Sequence, residues 1–206
     1  MKRQILVASV LVLGAIAQVF AADEGWISLF DGKTTEGWKV GENATSFRVE
    51  DGLLIANGKV AHLFYDGPVC QHNFKNFHFK ADVMTMPKAN SGIYFHTQYQ
   101  AAGWPKIGYE CQVNTTHSDP KKTAGLYNVK DVFEAPAKDG EWFTMEIIVQ
   151  GKRIITKVNG KTLVDYTEPE KVEGLRRLTN GTFAIQAHDP GSKVSYKNIQ
   201  VKPLPE

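Results

Sequence analysis

The sequence predicts an all-β chain, a sandwich or jelly roll of two antiparallel sheets, and three observations carry that expectation. Apolar and polar residues alternate with a period of two in several short runs, most clearly in residues 90–96 and 109–114. Turn dipeptides separate such runs: Asp51-Gly52, Gln150-Gly151 and Asn159-Gly160. No segment holds a sustained helical period with caps at its ends. Many short strands with frequent turns are the signature of sandwiches and jelly rolls.

Taken in order, the chain opens with Lys2 and Arg3 before an apolar run over residues 5–19, and Val19-Phe20-Ala21 offers small residues where a signal peptidase reads. This is the pattern of a secretory signal peptide cut after Ala21, which leaves no membrane anchor and sends the protein to the periplasm or outside the cell. A retained spanning helix would need about 20 apolar residues, and no Cys stands at the cleavage point for a lipid anchor. Of the 206 residues, 24 are basic and 22 acidic; cleavage removes Lys2 and Arg3, leaving 22 of each. A formally neutral protein without a basic cluster is a poor match to nucleic acid. Residues 22–206 suit one domain with a sizeable core.

The Asp51-Gly52 turn joins strands expected at 47–49 and 53–55, and a longer strand is expected at 77–84. Residues 90–96 and 109–114 follow; as strands they bury Ile93 and Phe95 on one, and Tyr109, Cys111 and Val113 on the other. Their opposite face then carries Asn90, Tyr94 and His96 beside Glu110, Gln112 and Asn114. Amides, a carboxylate, an imidazole and a phenol suit a sugar-binding or hydrolytic surface, because every sugar hydroxyl needs a donor or acceptor. The stretch 115–141 contains Pro120, Gly125, Pro136 and Gly140 and no convincing strand. Loops this long are often functional, so it is expected to fold over the polar face and place Tyr127 above it. Strands at 145–149, 153–158 and 163–166 follow, then 182–185 after Asn180-Gly181, and 194–201.

Glu110 is the only acid on the polar face of its two strands and is a candidate general acid, base or hydroxyl acceptor. His188 alternates with Phe183, Ile185 and Ala187, so it faces away from their core side, as Gln186 does. Trp104 and Tyr99, between the two key strands, are candidates to stack on a pyranose. No histidine spacing matches a metal motif and no cofactor is expected, while the sequence leaves a metal requirement open. Cys70 and Cys111, the two cysteines, either pair in an oxidising compartment or serve as small apolar residues.

The ordered set Gly25-Trp26-Ile27-Ser28-Leu29-Phe30-Asp31-Gly32-Lys33, Gly37-Trp38, Val49-Glu50-Asp51-Gly52, Asn90-Ser91-Gly92-Ile93-Tyr94, Tyr109-Glu110-Cys111-Gln112-Val113, Gly125-Leu126-Tyr127, Gly140-Glu141-Trp142, Ile185-Gln186-Ala187-His188 and Val194-Ser195-Tyr196-Lys197-Asn198-Ile199 resembles the 3-keto-disaccharide hydrolase family. His96 and Lys197 stand where many relatives carry Arg, and Asn114 where relatives often carry Asp. The resemblance implies a concanavalin A-like lectin/glucanase jelly roll with a concave polar face. It also implies a carbohydrate substrate: a glycoside whose sugar carries a ketone at C3, cleaved by elimination or hydrolysis. Glu110 and His188 are then the catalytic candidates. Asn90, Tyr94, His96, Gln112, Asn114, Tyr127, Gln186 and Lys197 are the substrate-binding ones, with His96 and Lys197 as donors to developing negative charge. A non-catalytic carbohydrate-binding module is the alternative on the same fold. A conventional endo-glucanase is disfavoured, since no strand offers a closely spaced pair of Glu residues.

Overall fold

The computed structural model describes residues 25–206, so the expected signal peptide lies outside the described residues. The strands are β1 (Ile27–Ser28), β2 (Trp38–Val40), β3 (Phe47–Glu50), β4 (Leu53–Ala56), β5 (Ala61–Tyr65), β6 (Phe77–Thr85), β7 (Asn90–Thr97), β8 (Tyr109–Asn114), β9 (Phe143–Gln150), β10 (Arg153–Val158), β11 (Lys161–Thr167), β12 (Thr182–Ala187) and β13 (Val194–Pro203). They form two antiparallel sheets, one of order β11-β10-β9-β6-β13-β4-β3 with β1 on β13, the other of order β2-β5-β12-β7-β8. This is the all-β, concanavalin A-like sandwich the sequence predicts. Two turns form as their residues require: Asp51 and Gly52 have φ of 50° and 80°, Asn159 and Gly160 48° and 78°. Positive φ at both central positions is what a tight hairpin needs, and Asn, Asp and Gly supply it at least cost.

The two sheets are buried differently, and the difference locates the site. In the larger sheet, β6 and β9 alternate buried and part-exposed residues along their length, so one face meets the core and the other meets water. In the smaller sheet every residue of β5, β7, β8 and β12 is buried. Its inner face packs on the core through Ile93, Phe95, Cys111, Val113, Phe183 and Ile185, all 0% exposed. Its outer face is roofed by loops. The segment after β8 turns back along that strand's free edge: Thr123 N–H donates to Asn114, Ala124 to Gln112, and Tyr127 to Glu110, while Gln112 N–H donates to Gly125. A bare edge strand is thereby covered, and the roof is tied to the sheet rather than draped over it.

Across the core, the Ser91 hydroxyl donates to the Gln186 carbonyl at 2.5 Å and pairs with the Tyr196 hydroxyl at 2.7 Å, linking the sheets through one satisfied polar group. Cys111 is buried and Cys70 exposed, both free, so the disulfide alternative does not hold. Strands β2 and β5 are not among those expected from the sequence, although Asn57-Gly58 and Asp66-Gly67 flank β5, which supplies His62 and Phe64 to the outer face. Among the described residues no helix is long and apolar enough to cross a membrane.

Candidate active site

The outer face of the smaller sheet holds a cavity of about 220 Å³, lined by Asn90, Tyr94, Trp104, Glu110, Gln112, Asp119, Tyr127, Arg176, Gln186 and His188. Strand parity explains most of this list. Asn90 and Tyr94 share one face of β7, Glu110 and Gln112 the same face of β8, and register brings Tyr94 opposite Glu110. Gln186 of β12 and His188, just beyond it, complete the floor.

Glu110 is the centre of the polar network. The Gln186 side-chain amide donates to the Tyr94 hydroxyl at 3.0 Å and to Glu110 Oε1 at 3.2 Å. Arg176 Nη2 lies 3.9 Å from Glu110 Oε2. Burial pushes the Glu110 carboxyl above its ordinary range, against the opposing pull of the Tyr94 hydrogen bond, Arg176 and Gln186. Gly92 makes room for this carboxylate: a Cβ there would lie 2.6 Å from Glu110 Oε1. The Gln186 Oε1 and Asn90 Oδ1 atoms are buried acceptors without a protein partner. Unpaired buried acceptors are costly.

His188 lines the same cavity. Its Nδ1 lies 2.8 Å from Asp189 Oδ2. Its ring faces Trp104 at 5.5 Å and His117 at 5.4 Å between centroids. His62 packs beneath, its ring 5.3 Å from Tyr94 and 5.5 Å from Trp104; burial pushes its pKa down to about 4. Tyr127 joins through the roof, donating its hydroxyl to Asp119 Oδ2 at 3.1 Å with Lys121 Nζ over its ring at 4.1 Å. The nitrogen and oxygen atoms of His117, His188 and Asp189 lie within 4.8 Å of one another, the one such group among the described residues. Both Asp189 oxygens already accept hydrogen bonds, from Gly191 and Ser192 N–H and the Ser192 hydroxyl. The His117 Nδ1 accepts the Asp119 N–H at 3.1 Å. The Asp189 oxygens and His117 Nδ1 are thus engaged within the protein.

Three expectations are corrected. His96 is not on the shared face. Between the pairs Thr182↔Thr97 and Ala184↔Tyr94 the register shifts, with Phe95 and His96 opposite Phe183 alone. In this β-bulge His96 takes φ 52° and leaves the alternation. Its ring packs 5.6 Å from Phe77, Nε2 meets the Lys75 carbonyl at 2.9 Å and Nδ1 accepts Thr179 N–H at 3.2 Å. Room for the bulge comes from glycine: a Cβ on Gly108 would lie 2.2 Å from the Phe95 carbonyl oxygen, and one on Gly181 2.3 Å from that of Thr97. Lys197 belongs to β13 in the larger sheet and points outward, its Nζ 4.2 Å from the Trp142 ring centroid. Asn114 lies at the end of β8 but turns its amide into the roof, donating to the Asp119 and Lys121 carbonyls and accepting His117 N–H. It shapes the loop and does not line the cavity.

The sequence reading did not single out Arg176, Asp119 or Asp189, nor give His62 and His117 a place in the site. Arg176 lies in an irregular stretch with no period or spacing to mark it. Asp189 begins the turn Asp189-Pro190-Gly191, and its adjacency to His188 was the available signal.

The model of the 3-keto-alpha-glucoside-1,2-lyase-like domain family matches residues 25–202. A 3-keto-disaccharide hydrolase of Bacteroides thetaiotaomicron is 27% identical over 171 residues, covering 69% of this chain and 59% of that protein; the chain thus spans under two thirds of the relative's length. Among solved structures, a Parabacteroides distasonis protein provisionally assigned as a glycosyl hydrolase superposes with a TM-score of 0.74 at 23% identity, over 88% of this chain and 95% of that one. The carbohydrate-binding module CBM66 of Bacillus subtilis shares the fold, with a TM-score of 0.60 at 11% identity over 81% of this chain and 95% of that module. At such identities the structural likeness speaks for the fold alone. The family match covers almost every described residue, and on that ground the chain belongs to the 3-keto-alpha-glucoside-1,2-lyase-like family.

Proposed function

We propose that this protein is an exported enzyme that cleaves the glycosidic bond of 3-keto-glycosides by elimination across C1 and C2. The observation that carries the reading is the pairing, in the lining of one cavity, of a buried carboxyl whose pKa is raised with an imidazole. A ketone at C3 acidifies the C2 hydrogen. A base removes that proton, donors hold the resulting enediolate, and the C1 oxygen leaves with a proton from an acid to give a C1–C2 alkene. Water then adds across it to give 3-keto-glucose. Glu110, kept protonated to higher pH by burial, suits the acid; His188 suits the base. Arg176 supplies the donors that His96 and Lys197 do not, in a site where preorganised donors are worth most.

Size supports a single sugar ring. The cavity of about 220 Å³ is smaller than the roughly 300–1,000 Å³ that holds drug-sized ligands. The aglycone would then extend past Trp104, 46% exposed at the rim. A module that only binds polysaccharide has no need to bury a carboxyl beside an Arg, and its long ligand would fit an open groove better. Export by the leader over residues 1–21 is part of the same reading; a mature N-terminus at Ala22, read by mass spectrometry of the exported protein, tests it.

Incubation with 3-keto-trehalose or a 3-keto-glucoside should release 3-keto-glucose, and Glu110→Gln should abolish release. No release by the native protein, with calorimetric binding of plain glucans instead, would overturn the enzyme reading in favour of the module.

A further inference from the structure

The residues around His188 form a chain of hydrogen bonds that all end on one carboxylate. The Asn90 peptide N–H donates to Ser192 Oγ at 2.9 Å, and the Ser192 hydroxyl donates onward to Asp189 Oδ2 at 2.7 Å. The other oxygen, Oδ1, accepts Gly191 N–H at 2.8 Å and Ser192 N–H at 3.1 Å. Although burial opposes ionisation, these bonds and the one from His188 hold Asp189 below its ordinary pKa. An ionised carboxylate only accepts, so His188 Nδ1, 2.8 Å from Oδ2, must carry a proton. That leaves Nε2, on the ring edge away from Asp189, as the unprotonated nitrogen of the neutral ring.

We propose that Asp189, clamped by Ser192 and the 189–192 turn to the start of β7, is a positioning residue that fixes His188 in the Nδ1–H tautomer so that Nε2 takes the C2 proton of the substrate. This rests on the elimination reading above. In the step, the C2–H bond breaks, Nε2 gains the proton, and the bonding pair moves through C2–C3 onto the ketone oxygen, which becomes an enolate. The enolate then collapses to a C1–C2 alkene with loss of the C1 oxygen, which takes its proton from Glu110. Water adds across the alkene, its oxygen at C1 and a solvent-exchanged proton at C2, to give 3-keto-glucose. No oxidant or reductant is consumed.

The clamp makes a sharp prediction for Asp189→Asn. Two backbone N–H groups require an oxygen at the Oδ1 position, so the new amide must turn its NH₂ toward His188 and Ser192. Nδ1 is then forced to accept, and the proton moves to Nε2, where it blocks the base.

The test combines long-range ¹H–¹⁵N spectra of the imidazole with steady-state kinetics. The native protein should show His188 as the Nδ1–H tautomer and Asp189→Asn as Nε2–H, with kcat down by about 10²–10⁴-fold and KM nearly unchanged. Ser192→Ala, a milder change that keeps the carboxylate, should retain the tautomer and lose less activity. A native His188 already protonated on Nε2 would overturn the proposal. So would an Asp189→Asn variant that switches tautomer without losing kcat, or Zn²⁺ titrating stoichiometrically into His117 and His188 of the native protein. If no 3-keto-glycoside is cleaved, the parent reading fails, while the spectra still decide the positioning claim.

Discussion

Gly92→Ala is the most economical way to disturb the site without replacing any group that meets substrate. The new Cβ would sit 2.6 Å from Glu110 Oε1, 3.1 Å from its Cγ and 3.2 Å from its Cδ. Ordinary contact begins near 3.4 Å, so the carboxylate must retreat by about 0.8 Å. It cannot do so freely, because Glu110 is only 5% exposed and bonded to Gln186. A misplacement near 1 Å at a reacting group costs up to about 10²-fold in rate. Stability should change little: Ala gains roughly 0.5–1 kcal/mol over Gly in a strand, and one weakened hydrogen bond loses about 1 kcal/mol. The assay is kcat/KM on a 3-keto-glucoside beside thermal unfolding of the same preparation. A fall of about 10–100-fold with a melting temperature within a few degrees is expected. Full activity would refute the claim that the Glu110 position is set by the space at Gly92.

Three further outcomes follow from the same geometry. Glu110 holds its proton to higher pH folded than unfolded, so its contribution to stability is complete below its ordinary value of 4.5 and is lost as pH rises through the raised folded value. Glu110→Gln should therefore be inactive yet more stable at pH 8, by about 1.4 kcal/mol for each unit by which the pKa is raised; chemical denaturation showing it less stable would contradict this. His62 and His96, pushed by burial to about 4 from 6.5, act with the opposite sign: stability should fall as pH drops from 6.5 toward 4. His62→Phe should flatten part of that slope in acid unfolding curves, and an unchanged slope would speak against a buried neutral His62. With Cys70 exposed and Cys111 buried, a thiol reagent should label one cysteine in the native protein and a second only after denaturation, and reductant should leave the melting temperature unchanged; a shift on reduction would reveal a disulfide.

The sandwich and its parity were legible because a period of two leaves no freedom: once Ile93 and Cys111 face the core, Tyr94 and Glu110 cannot. The same rule fails at His96 for a physical reason. The bulge that reverses it depends on Gly108 and Gly181, whose close approach to β7 is a tertiary fact that no local pattern encodes. Lys197 was misplaced because its strand carries no mark of which sheet it joins. Arg176 was invisible since irregular loops position side chains through contacts distant in sequence. The roof over the site was legible as an anomalously long loop, but not its docking along the edge of β8, which uses backbone groups that every residue has.

The central claim is that C1–O cleavage proceeds by removal of the C2 proton. A 3-keto-glucoside deuterated at C2, turned over in ordinary water and analysed by mass spectrometry of the released 3-keto-glucose, tests it most directly. The account predicts cleavage with loss of the deuterium and a slower rate than for unlabelled substrate. Product that keeps its deuterium, formed at the unlabelled rate, would show direct hydrolysis at C1 and contradict the roles given to His188 and Glu110.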